Sequence, residues 1–159
     1  MALITGETAR IYNDLVVINK AAIKGYLEAA EAVSNPDLKA ELLRYSEQRT
    51  RFAEELEAQA IAFGVEPPSE ESTVEGAVTD AVAAMHRGWI NLKSSIIDRE
   101  DKVILSECEN GDAAALMSYE LALQSEDLVP AALALLRQQQ GEIQLIKNKF
   151  AARRSQPGQ

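Results

Sequence analysis

Five carboxylates are candidates for oxygen ligands in the core of a helical chain: Glu28 or Glu31, Glu109, Asp112 and Glu142. Carboxylate oxygens suit hard cations. Bundles that hold paired iron or manganese ions supply one Glu from each of two helices and a Glu-x-x-His pair from each of the other two. No Glu-x-x-His pair occurs here, and the one histidine, His86, falls outside the stretches that read as core helices. His86 therefore reads as a surface or packing residue before it reads as a ligand. The single cysteine, Cys108, stands between Glu107 and Glu109. Neighbouring negative charge opposes thiolate formation, so Cys108 reads as a small buried side chain and not as a nucleophile. A redox role would need a partner thiol from another subunit. No nucleophile motif, phosphate loop or dinucleotide fingerprint is present.

These side chains must be positioned by helices. The first stretch opens near Thr5 or Thr8 and runs to about Val33, with Tyr12, Leu15, Ala22, Tyr26, Ala29 and Val33 at three- and four-residue steps. Ser34-Asn35-Pro36-Asp37 breaks it, Asn35 being a natural cap and Pro36 a natural first-turn residue. The second stretch carries Leu38, Leu42, Tyr45, Phe52, Leu56 and Phe63 on one face and stops at Gly64. Pro67 and Pro68 place a loop over 65–72. A third stretch, weakened by Gly76 and Gly88, extends from Ser72 or Thr73 through Ala77 to Ile97 and holds Trp89. The fourth is expected from about Asp98 to Gln124, with Leu105, Leu116, Tyr119 and Leu123 as its stripe. The fifth is expected from about Asp127 to Arg153, with Leu128, Ala132, Leu135, Ile146 and Phe150. Residues 1–154 then form a single domain, and 155–159 (SQPGQ) a disordered tail.

Each stripe is interrupted near its middle by a polar residue. Asn19 interrupts the first and Arg49 the second; Glu109 and Asp112 interrupt the fourth, and Gln139, with Glu142 nearby, the fifth. Together they predict a polar layer of Asn19, Arg49, Glu109, Asp112 and Gln139 at mid-height. One reading is a metal site. The preferred reading is an ion-pair and amide network in which Arg49 neutralises Glu109 or Asp112, because an Arg in the layer works against cation binding. The expected architecture is an all-α four-helix bundle. The connection between its second and third core helices is roughly 35 residues long and itself largely helical, which is the ferritin-like arrangement.

Composition limits the function classes. The chain has 159 residues, 47% of them hydrophobic and only 5% aromatic, so aliphatic side chains and Ala must fill the core. A formal net charge of −9 argues against a nucleic-acid surface. The cluster Lys147, Lys149, Arg153 and Arg154 matches a favourable helix C-terminus instead. No apolar run approaches the roughly 18 residues that span a bilayer, and the sequence MALITGETARIYNDL lacks the pattern of a secretory leader. No membrane association is expected. One cysteine gives no sign of an oxidising compartment, so the expected location is cytoplasmic.

The string His86-Arg87-Gly88-Trp89-Ile90-Asn91-Leu92-Lys93 resembles the signature of an uncharacterised bacterial family within the ferritin-like superfamily, known as a domain of unknown function. Gly25-Tyr26 with Ala29-Ala30-Glu31, Pro36-Asp37-Leu38-Lys39, Gln48-Arg49 with Phe52-Ala53, Glu107-Cys108-Glu109-x-Gly111, Tyr119 and Gln139 fit the same pattern. The resemblance spans about residues 10–150. It implies a ferritin-like bundle and, through the wider superfamily, a stress-related role by analogy. Two positions depart from it: Ala21 stands where members commonly carry Asp, and Lys147 where they commonly carry His.

Three functions fit these residues. The first is a non-catalytic bundle acting through association as a homo-oligomer, most simply a dimer, with no cofactor. Met85, Trp89, Ile90, Ile96 and Ile97 would suit an interface or cover the chain's own core. The alternative is a carboxylate-based iron or manganese protein using Glu28 or Glu31, Glu109, Asp112 and Glu142. A weaker third is a pocket for a small apolar ligand between Ala-rich stripes.

Overall fold

A computed structural model describes residues 6–65, Trp89 and 99–155. Four helices account for most of them: α1 (Gly6–Ala32), α2 (Pro36–Ala62), α3 (Asp101–Leu123) and α4 (Pro130–Arg154). No strand occurs among the described residues, and no helix among them is long and apolar enough to cross a membrane. Apart from Trp89, the expected helical stretch through Ala77–Ile97 lies outside the described residues. So do His86, Met85, Ile90, Ile96, Ile97 and residues 156–159 of the expected tail.

The helix boundaries follow local chemistry. Asn35 accepts hydrogen bonds from the backbone amides of Asp37 (2.8 Å) and Leu38 (3.1 Å), capping α2, with Pro36 in its first turn. Gly64, at φ +86°, ends that helix in a conformation that side chains with a Cβ rarely adopt. At its N-terminus α4 is shorter than the sequence pattern suggests. Pro130 takes the first helical position and holds Val129 extended (φ −71°, ψ 158°), so residues 127–129 stay outside. α3 begins at Asp101, after an extended Glu100 (φ −68°, ψ 153°), and the Asp101 carboxylate reaches the α1–α2 turn. It accepts from the amides of Ser34 (2.9 Å) and Asn35 (3.1 Å) in the α1–α2 turn.

Cross-helix contacts fix the directions. α1 runs antiparallel to α2, with Tyr12 on Gln59 at one end and Tyr26 against Tyr45 toward the other. It also runs antiparallel to α3, with Asn19 on Tyr119, Tyr26 on Asp112, and the Ser34 turn on Asp101. α4 runs antiparallel to both α2 (Glu41–Arg153, Arg51–Glu142) and α3 (Glu109–Lys147, Tyr119–Gln139). Hence α1 and α4 point one way, and α2 and α3 the other. α2 ends at the opposite end of the bundle from the start of α3.

The core is aliphatic and Ala-rich, with rings near one end. Tyr45 packs edge-on against both Tyr26 (5.7 Å) and Phe150 (5.6 Å). Two stripes differ in phase from expectation. On α3 the buried face is Ile104, Leu105, Cys108, Gly111, Ala115, Ser118, Tyr119 and Ala122, while Leu116 and Leu123 are half-buried. On α4, Leu136 and Ile143 are buried and Leu135 is partly exposed. Where the Trp89 ring sits, α3 presents Gly111.

Trp89 supplies the tightest of these contacts. Its indole lies between α1 and α3, and Cβ atoms placed on Gly25 and Gly111 would come within 2.0 and 2.2 Å of its ring atoms. Its centroid is 5.3 Å from that of Tyr26. A mid-helix Gly costs roughly 0.5–1 kcal/mol relative to Ala, so two of them are tolerated here for the room they leave. Gly25→Ala or Gly111→Ala is expected to displace the indole. The sole tryptophan's fluorescence should shift to the red, and stability should fall by roughly 1–3 kcal/mol, the usual scale for overpacking. An unshifted spectrum with unchanged stability would contradict this packing.

Candidate functional site

Two polar layers cross the interior. Asn19 and Tyr26 on α1 are seven residues apart, as are Tyr119 and Asp112 on α3. At 1.5 Å per residue the layers lie about 10 Å apart along the bundle.

The first layer is a relay of hydrogen bonds through all four helices. Asn19 Nδ2 donates to the Tyr119 hydroxyl (2.9 Å), which donates to Gln139 Oε1 (2.6 Å). Gln139 Nε2 then donates to the Phe52 carbonyl (3.3 Å) and to Glu55 Oε1 (3.2 Å). Asn19 Nδ2 also reaches the Leu15 carbonyl (2.8 Å). Burial raises the Tyr119 hydroxyl above its ordinary pKa, although Asn19 and Arg49 favour the phenolate.

The second layer is built on charge. Arg49 and Asp112 are both 0% exposed, with Nη2 and Oδ1 3.0 Å apart. The charges meet, but the angle does not make a hydrogen bond. Tyr26 donates to the other oxygen, Asp112 Oδ2, at 2.5 Å, as an ionised carboxylate requires. The guanidinium carbon sits 5.4 Å from the Tyr26 ring centroid, within cation–π range, and Nε donates to Gln48 Oε1 (3.2 Å). Burial opposes the charge on Arg49, yet Asp112, Tyr26 and Tyr119 hold its pKa above the ordinary value. Burial also raises the Asp112 carboxyl, against the opposing pull of Arg49, Tyr26 and Lys147. Tyr26 is raised well above its usual value, by burial first and Asp112 second. Cys108, buried beside this layer, is likewise pushed up by burial, then by Asp112 and Glu107. Its thiol is therefore held protonated and unreactive.

Of the residues expected in the mid-height layer, Asn19, Arg49, Asp112 and Gln139 are fully interior. They divide between two levels instead of sharing one. Glu109 stands at the rim, 3.8 Å from Lys147. Among the candidate ligands, Glu31 is exposed, Glu28 is half-buried, and Glu142 pairs with Arg51 at 3.3 Å. Among the described residues, no group of three or more His, Cys, Asp or Glu side chains is placed to hold a metal ion. Sequence reasoning read Tyr26 and Tyr119 as apolar stripe residues, and their hydroxyls turn out to join the layers. A tyrosine on a stripe that also carries Asn, Arg or Asp was the available signal, because a buried hydroxyl needs a partner.

A family model described as Domain of unknown function (DUF2383) matches residues 7–125. The match takes in α1, α2 and α3, with Asn19, Tyr26, Arg49, Asp112 and Tyr119, and ends before Gln139. No curated protein and no solved structure matches the chain.

Asp112→Asn leaves the Arg49 charge buried without a counter-charge, so stability in denaturant unfolding should drop by about 3–5 kcal/mol. Arg49→Met with Asp112→Leu removes both charges and is expected to recover most of that loss. Equal losses for the single and paired changes would show that charge balance is not what matters here. A second expectation concerns alkaline pH. The folded chain keeps the Tyr26 and Tyr119 protons that an unfolded chain releases near pH ~10, so their contribution to stability is complete below that pH. It declines as pH rises toward the folded-state values. Phenolate absorbance from these two side chains should therefore appear together with loss of helicity, and Tyr119→Phe should lessen the alkaline slope. Ionisation of all four tyrosines near pH ~10 with the helices intact would be the contrary result.

Proposed function

The chain belongs to the family described as Domain of unknown function (DUF2383), and from that premise we propose that it is a ferritin-like bundle acting by association with a second copy of itself, not by chemistry in its core. The observation that carries this reading is on the outer face of α3. Met117 and Leu121, one turn apart, are 63% and 54% exposed, with Val103 on the same face two heptads before Met117. Asn110 and Ala114 continue a stripe at alternating three- and four-residue steps whose one charged member is Glu107, so that it is uncharged from Asn110 to Leu121. Its spacing is that of a helix seam. In a chain of net charge −9, the uncharged part of this face, from Asn110 to Leu121, is where a second copy approaches with least repulsion.

Two further features support the reading. The parallel course of α2 and α3, with a long connection between them, is the ferritin-like arrangement. Inside the bundle, Arg49 supplies a positive charge to Asp112, and at its rim Lys147 supplies another to Glu109. These two acids are thus balanced by the chain's own side chains. We place the protein in the cytoplasm, in keeping with its lone thiol.

Light scattering over a concentration range should show a dimer. Met117→Lys with Leu121→Glu should give a monomer of unchanged helicity. A strict monomer at every concentration would sink the association reading. Stoichiometric iron or manganese in purified protein, lost on Glu109→Ala, would replace it with the metal-binding one.

A further inference from the structure

We propose that the outer face of α3 docks on the outer face of α4 of a second copy, about a two-fold axis parallel to the helices, with Met117 seated over the partner's Gly141. The inference rests on the self-association reading and says which surface of the second copy α3 meets.

The outer face of α4 has the character of a seam. Ala134, Gln138, Gly141, Leu145, Asn148 and Ala152 follow one another at alternating four- and three-residue steps, all exposed and none charged. Leu145 is 62% exposed, second only to Met117 at 63% among the exposed large hydrophobic side chains of the described residues. Gly141 stands in the middle of the stripe. A glycine inside a helix is less stable than alanine. Gly25 and Gly111 make room for Trp89, but a Cβ at Gly141 would meet nothing within 4 Å among the described residues. Its own fold therefore gives no reason for a glycine there, whereas a side chain arriving from outside does.

Charge selects the pairing. α3 carries five acids and one base, and α4 five bases and one acid. Setting α3 on its own copy opposes acid to acid, and α4 on its own copy opposes base to base. Only α3 on α4 brings opposite charges together. A two-fold axis parallel to the helices makes both such contacts at once, α3 on the partner's α4 and α4 on the partner's α3, and closes the pair as a dimer.

Height along the bundle then fixes the register. Glu120 is level with Gln140 (3.2 Å), Tyr119 with Gln139 (2.6 Å) and Glu109 with Lys147 (3.8 Å). Extending that antiparallel alignment puts Met117 level with Gly141, Ala114 with Leu145, and Asn110 with Asn148. Rotation about an axis parallel to the helices leaves heights unchanged, so the same residues meet between copies. Each of the two large apolar side chains faces a small residue, and amide faces amide. Glu120 and Glu107 fall within about one helical turn in height of the partner's Arg137 and Lys149 respectively.

Disulfide trapping reads the pairing directly. Met117→Cys and Gly141→Cys chains, made distinguishable by a size tag, mixed and oxidised, should give a cross-linked pair containing one of each. Neither should link to itself, and the native Cys108 is buried away from the exchange. Gly141→Leu supplies a second measurement that a clash within the chain does not spoil. It should fold at least as well as wild type and raise the dimer dissociation constant roughly tenfold or more, the scale of overpacking a close contact. Self-linking of Met117→Cys would place α3 on α3 and overturn the proposal. So would a dimer that gives no mixed link, or unchanged dimerisation of folded Gly141→Leu. Those results leave the association reading standing, whereas wild-type protein that is monomeric at every concentration overturns both.

Discussion

Burying the guanidinium of Arg49 imposes more on this bundle than any other single placement. A charged group taken wholly out of water is tolerated only beside an opposite charge and enough polar atoms to replace its hydration. Asp112 answers the first need from α3 at 3.0 Å. Tyr26 answers part of the second from α1, with its hydroxyl on Asp112 and its ring face toward the cation. One side chain on α2 therefore dictates what α1 and α3 present at the same height. Burial first, and the buried Asp112 carboxylate second, hold Tyr26 and Cys108 in their protonated forms. Such a pair adds little net stability compared with apolar residues, but its contacts are directional and penalise any other register of the helices.

The aromatic wedge works with that pair. Trp89 enters between Gly25 and Gly111, each adjacent in sequence to a member of the charged layer, Tyr26 and Asp112. The residues flanking the wedge thus include those that balance the charge. At the nearby end, Asp101 accepts from the amides of the α1–α2 turn and ties the start of α3 to it. Arg153, Glu41 and Tyr45 join α4 to α2 at that end as well, with Arg153 Nη1 2.9 Å from Glu41 and the Tyr45 hydroxyl also on Glu41. The second layer, from Asn19 through Tyr119 to Gln139, ties all four helices by neutral hydrogen bonds and needs no charge balance. The interior therefore combines one electrostatic constraint with one geometric constraint, in an otherwise aliphatic core.

The division between interior and surface bears on function. The interior acids and bases are matched within the chain, whereas the outer face of α3 leaves Met117 and Leu121 open to solvent. Asp112 is enclosed, and the Cys108 thiol is enclosed and held protonated.

Periodicity and punctuation settled the helical class, the Asn35 cap, the stop at Gly64 and the placing of Asn19, Arg49, Asp112 and Gln139 on inward stripes. These depend on backbone preferences and on the 3.6-residue repeat, which are properties of short stretches. What sequence could not decide is the pairing across helices. Arg49 had Glu109 and Asp112 as possible partners one turn apart, and only the rotation of α3 put Asp112 inside and turned Glu109 to Lys147 at the rim. The same rotation sets Gly111 beside Trp89 and leaves Leu116 half-buried against the core. It also separated the polar residues into two levels. The polar interior could be foreseen because its residue types interrupt a local repeat. Its division into a charged layer and a neutral one came from tertiary structure, because the height and rotation of each helix follow from side-chain volumes contributed by the others.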